Sequence, residues 1–160
     1  MIRLPSAEHP EPKSDVFDRR VLCAASSMFA VSSMIIVETA NIAEAAQNTR
    51  LSKTSDFGSG CSADGNLIIE ESIFDKMLAQ LQKEGGYLAS PQEKELLRKA
   101  MWDDERHRTV ETVAIAPQQL AKAAGFTIPA DRKFIIVHGD GIGKEHHFSG
   151  EKLTTLLAVY

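Results

Sequence analysis

Phe134-Ile135-Ile136-Val137 is an unbroken apolar run, β-branched at three of its four positions and closed soon after by Gly139-Asp140-Gly141. So short a run, with no polar alternation, reads as a strand covered on both faces, as the strands of parallel sheets are. Leu156-Leu157-Ala158-Val159-Tyr160 repeats the pattern at the end of the chain, and Met34-Ile35-Ile36-Val37 and Leu67-Ile68-Ile69 are further β-branched runs upstream. Helical patterns lie between them. Asn41 is positioned to cap an Ala-rich helix over residues 42–50. Ile73, Met77, Leu78 and Leu81 line one face of the next, with Asp75, Lys76, Gln80 and Lys83 opposite and Gly85-Gly86 as the stop. Ser90, Pro91 and Glu93 form a capping box with proline at the first helical position, opening a helix that runs to Met101. A short helix over 117–124 is ended by Gly125. Val113-Ala114-Ile115 reads as one more short strand, and the stretch from Lys53 to Ser62, dense in Gly, Ser and Asp, as a loop. Strands alternating with helices give an α/β fold with a largely parallel sheet and flanking helices.

The 160 residues suit one domain of ordinary size. With 18 Lys plus Arg against 22 Asp plus Glu, the net charge of −4 offers no general attraction to nucleic acid or anionic lipid, so neither is an expected partner. Residues 1–33 hold three prolines, mixed charge and an Ala/Ser-rich segment, and read as an irregular lead of separate origin; residues 34–160 read as the folded domain. The apolar stretch over 21–37 is diluted by serines and preceded by Glu8, Glu11, Asp15 and Asp18, unlike the basic start of a secretory signal. Two cysteines, Cys23 and Cys61, are too few for a stapled secreted fold, which points to a reducing, cytoplasmic setting. An apolar final strand with no tail after it suggests a piece of something larger.

Cys61 is the sharpest chemical candidate. It lies in a Gly/Ser-rich turn between a helix and a strand, where successive backbone N–H groups can favour a thiolate and hold a developing oxyanion. A lone cysteine also serves as a small buried hydrophobe, which is how Cys23 reads. His138, Asp140, His146 and His147 cluster within ten residues, yet without the spacing of a metal set; no metal is expected. Gly139-Asp140-Gly141-Ile142-Gly143-Lys144 fits neither the phosphate-loop nor the dinucleotide template, because His138, Glu145 and Lys144 stand where those templates need glycine or a hydroxyl. The charged run over 103–108 reads as a solvated connection, with Trp102 packing before it.

Five collinear segments resemble a known family. The segment from Ser52 to Ser62, Ser-Lys-Thr-Ser-Asp-Phe-Gly-Ser-Gly-Cys-Ser, is similar to the nucleophile segment of CoA-acylating aldehyde dehydrogenases, Ser-Lys-Thr-Phe-Asp-x-x-x-x-Cys-Ser. Ile36-Val37-Glu38-Thr39-Ala40-Asn41-Ile42 resembles the family's Val-Asp-Glu-Thr-Ala-Asp-Leu, and Glu84-Gly85-Gly86-Tyr87-Leu88 resembles an insert of the acetaldehyde and sulfoacetaldehyde enzymes. Ala124-Gly125-Phe126-Thr127-Ile128-Pro129 and Phe148-Ser149-Gly150-Glu151-Lys152-Leu153 match the family's Ala-Gly-x-x-Val-Pro and Phe-Ser-x-Glu-Lys-Leu. The chain departs from the pattern at Ser55, Asp64, His147 and Thr155, and nothing in it resembles the family's Rossmann half.

The resemblance implies part of an aldehyde dehydrogenase catalytic domain without its cofactor-binding domain. It implies that Cys61 is the nucleophile of a reaction interconverting an aldehyde and an acyl-CoA through an enzyme thioester, with NAD or NADP as hydride carrier and CoA as co-substrate. Glu151 takes the position of the carboxylate that binds the nicotinamide ribose. Expected partners are a small aldehyde or acyl-CoA, with self-association or a separate Rossmann-bearing chain completing the site. The contrasting expectations are a non-catalytic remnant acting as an interaction module through an exposed sheet edge, and a small exported domain.

Overall fold

The structure is a computed structural model and describes residues 33–160. Five strands form one parallel sheet in the order β1 (Ser33–Ile36), β2 (Asn66–Ile69), β5 (Leu156–Val159), β4 (Phe134–His138), β3 (Gly86–Leu88). β4 and β5 are paired over Ile135–Leu156 to His138–Val159, and they lie in the interior of the sheet as their apolar runs require. Successive side chains alternate between two cores. Ile135, Val137, Leu156 and Ala158 join Leu97, Met101, Trp102 and Leu120 on one face, whereas Phe134, Ile136, Leu157 and Val159 join Ala46, Met77 and Leu81 on the other. The first face is covered by α3 (Pro91–Met101) and α4 (Pro117–Ala123), the second by α1 (Ile42–Thr54) and α2 (Phe74–Lys83). The expected α/β architecture is therefore a three-layer sandwich. Among the described residues no helix is long and apolar enough to cross a membrane.

Local signals explain most boundaries. The Asn41 side chain accepts from Glu44 N–H and starts α1. At α3, Ser90 Oγ accepts from Glu93 N–H at 3.2 Å, Glu93 accepts from Ser90 N–H at 2.7 Å, and the Tyr87 hydroxyl donates to the same carboxylate at 2.8 Å. Trp102 packs as read, edge-on to Phe148 with ring centroids 5.2 Å apart.

Three expectations need correction. The first helix continues to Thr54 rather than stopping near residue 50, so Lys53 belongs to the helix and not to the loop. Val113-Ala114-Ile115 is not a strand: a 3-10 turn over Val110–Thr112 precedes it, Ala114 sits at φ 53°, and its N–H donates to Leu153 O instead of to a ladder. Gly86 does more than end a helix, because it opens β3. There the strands approach so closely that a Cβ on Gly86 would lie 2.5 Å from Ile136 Cδ1.

The capping box yields a direct test. Ser90→Ala should lower the unfolding free energy by about 1 kcal/mol and Ser90→Gly by a few tenths only, as read by urea denaturation; equal losses would contradict the cap.

Candidate active site

Cys61 sits on the loop between α1 and β2, and Glu151 on the loop that enters β5. β2 and β5 are adjacent and parallel, so both loops arrive at the amino edge of the sheet. Beyond Thr54 the chain makes a 3-10 turn, Ser55–Gly58, in which Asp56, Phe57 and Gly58 all have left-handed backbones (φ 45°, 52° and 68°). For Asp56 and Phe57 that conformation costs about 1–2 kcal/mol each. The reversal folds the turn over the end of its own helix. A Cβ on Gly58 would stand 2.6 Å from Thr154 O and 3.0 Å from Lys53 Nζ, so only glycine fits. Asp64 N–H then donates to Ser52 Oγ at 2.9 Å, closing the loop on α1. The Cys61 thiol is free and exposed.

The second loop is anchored by a buried ammonium. Lys152 is 1% exposed, and its Nζ donates to Asn66 Oδ1 at 2.9 Å, to Gly150 O at 2.9 Å and to Phe148 O. Asn66, the first residue of β2, donates in turn to Ser149 O at 3.1 Å. The loop bearing Glu151 is thereby tied to the end of the loop bearing Cys61. From behind, the Arg108 guanidinium donates to Lys152 O at 2.7 and 3.1 Å, to Met101 O and to Thr112 Oγ1, while lying over the Trp102 ring. Residues 103–107 are exposed as read, but Arg108 is half-buried and structural, which corrects the reading of that run as a solvated connection throughout.

Cys61 and Glu151, 90 positions apart in sequence, line one small concavity together with Lys53, Gly60, Ala63 and Lys152. Two buried lysines, Lys53 and Lys152, form its floor. Burial lowers the Lys53 pKa to about 8, partly opposed by the nearby Asp64 carboxylate. Burial holds Lys152 well below the ordinary lysine value, with Lys53 and Arg108 adding to the effect, and burial also brings Arg108 down to about 10. Neither lysine was a candidate from residue type and spacing; the one signal for them was that each lies within a quoted motif that also holds a candidate, Cys61 or Glu151.

The remaining candidates go elsewhere. His138 stacks on Phe74, His147 meets Trp102 edge-on, His146 lies beside Glu145, and Asp140 pairs with Lys94 at 2.5 Å. Among the described residues no three His, Cys, Asp or Glu side chains converge as a metal set. The glycines after β4 lead into a 3-10 turn, His147–Ser149, rather than an α-helix, so they present no helix N-terminus to a pyrophosphate. Cys23 lies outside the described residues.

Lys53 sets a pH signature. Its folded pKa lies below the unfolded value near 10.5, so between about pH 8 and 10.5 the unfolded chain binds more protons and the Lys53 contribution to stability rises with pH. Lys53→Met should remove that rise, seen as a difference between the two proteins' urea stabilities that changes across this window. Parallel pH curves would contradict the burial.

No family model matches the chain. A sulfoacetaldehyde dehydrogenase (acylating) from Bilophila wadsworthia is 30% identical over 130 residues, 79% of this chain and 28% of that protein. The bifunctional aldehyde-alcohol dehydrogenase of Escherichia coli K12 is 32% identical over 130 residues, 79% of this chain and 14% of that one. The crystal structure of an acetylating aldehyde dehydrogenase from Geobacillus thermoglucosidasius superposes with a TM-score of 0.79 at 36% identity, covering 82% of this chain and 29% of that one. This chain thus spans little more than a quarter of the length of these relatives at most. The motifs, the parallel sheet and these matches agree over the same segment, and over that segment the chain is similar to CoA-acylating aldehyde dehydrogenases.

Proposed function

We propose that Cys61 is the nucleophile of a site that interconverts an aldehyde and an acyl-CoA through a thioester on its sulfur, and that Glu151 serves the nicotinamide cofactor. The observation that carries this reading is the meeting of these two residues in one concavity over two buried lysines. A thiolate is nucleophilic near neutral pH, and the thioester it forms stays reactive toward a second thiol. In the acylating direction Cys61 adds to the aldehyde carbon, and the resulting thiohemiacetal oxygen carries negative charge. On this reading Lys53 and Lys152, which line the same concavity, would supply positive field to that charge when protonated. Bound NAD or NADP supplies hydride acceptance, and Glu151 would accept hydrogen bonds from its ribose hydroxyls. The CoA thiolate then attacks the thioester carbon and Cys61 leaves. The rest of the dinucleotide would be held by protein outside the described residues.

The acyl-transfer half of this chemistry needs no hydride. Acetyl-CoA should therefore load an acetyl group on Cys61 of the full 160-residue chain, released by hydroxylamine and absent in Cys61→Ala, as read by intact mass. Glu151→Gln should load as fast as the parent while losing any NAD(P)H-dependent turnover. An inert Cys61 would overturn the proposal.

A second reading, an interaction module, rests on a different observation. β1 is an edge strand with Ile35 40% exposed, and Val37 beside it is 38% exposed. On that reading Ile35→Lys should abolish concentration-dependent self-association in sedimentation and leave Cys61 loading unchanged.

A further inference from the structure

We propose that Lys53 is a self-acylation site, which takes the acyl group from the Cys61 thioester and keeps it as a stable amide. This rests on the loading of Cys61 proposed above and names a second acceptor for the same group. Lys53 stands in the last turn of α1, eight residues before Cys61. The left-handed residues Asp56, Phe57 and Gly58 fold the intervening chain back over it, which sets Lys53 Nζ against Gly58, and Lys53 lines the same concavity as Cys61. An amine and an acyl sulfur that line one concavity are an intramolecular pair, whose effective concentration exceeds that of a free amine when the two come within attack distance.

The groups facing Lys53 decide its charge. Burial favours the free amine and the Asp64 carboxylate opposes it by favouring the ammonium; Lys152 and Glu151 line the concavity with Lys53. With a pKa of about 8, a substantial share of Lys53 is an uncharged nucleophile at pH 8, where an ordinary surface lysine is almost wholly protonated.

The steps balance without an oxidant or reductant. Cys61 thiolate attacks the acyl-CoA carbonyl, forming the new sulfur–carbon bond and expelling CoA thiolate. The Lys53 lone pair then attacks the thioester carbonyl, the carbon–sulfur bond breaks, and the electron pair returns to Cys61. The proton lost from Lys53 nitrogen neutralises that sulfur. Amide replaces thioester, and CoA thiol cannot reverse the step. A chain charged with acyl group but denied an acceptor thiol would therefore silence its own concavity.

The full chain is incubated with acetyl-CoA and no nicotinamide cofactor, at pH 7 and pH 8.5, treated with hydroxylamine and mapped by peptide mass. Acetyl that survives hydroxylamine is expected on Lys53, more of it at the higher pH, and at least about tenfold less of it in Cys61→Ala. Lys53→Arg is expected to keep only the labile acetyl on Cys61. Mapping of the parent chain decides the matter even if that variant fails to fold. Acetyl that stays entirely labile on Cys61 would overturn the inference and leave the proposed function standing. Lys53 acetylation that persists undiminished in Cys61→Ala would overturn it by showing direct attack on acetyl-CoA. A chain that takes up no acetyl at all would overturn both.

Discussion

Lys152 directs one buried ammonium at Asn66 Oδ1, Gly150 O and Phe148 O, and the geometry of the candidate site follows from those bonds. The loop that crosses from β4 to β5 has no α-helix to brace it, only a 3-10 turn. Without an internal anchor such a segment would move independently of the sheet. Asn66 answers with its own bond to Ser149 O, so the start of β2 and the Glu151 loop hold each other from both directions. Burying the ammonium carries a desolvation cost, which full hydrogen bonding offsets. Arg108, itself braced on Met101 and Thr112, extends the same network to the helical layer behind.

The candidate site lies at the amino edge of the parallel sheet, whereas open α/β sheets commonly bind ligands at the carboxyl edge. The difference has a local cause. At the carboxyl edge, beside β3, β4 and β5, Lys94 is paired with Asp140 and Arg98 with Glu95, so that surface presents charges already matched. At the amino edge the two lysines are buried beside an exposed thiol and an exposed carboxylate.

What was legible in the sequence was local. Phe134–Val137 announced a doubly covered strand, and Ser90, Pro91 and Glu93 announced α3, because each signal is written within a few residues. Gly86–Leu88 escaped notice because three residues carry too little pattern and its glycine also reads as a helix stop. Val113–Ile115 misled because β-branched residues suit a strand, while no free ladder position exists beside them and Ala114 turns toward Leu153 instead. Cys61 was legible as a Gly/Ser turn cysteine, and Glu151 only through family resemblance. Lys53 and Lys152 were not legible as buried groups, since lysine is exposed unless tertiary structure satisfies it, and the atoms that satisfy Lys152 include one 86 positions away.

The coupling of the two loops through Lys152 is tested most directly by hydrogen exchange of the full chain and its Lys152→Met variant. If the ammonium joins the loops, amides over 148–153 and over 61–66 should lose protection together in the variant, ahead of the core of β4. Acceleration confined to 148–153, with the Cys61 loop exchanging as in the parent, would contradict the coupling.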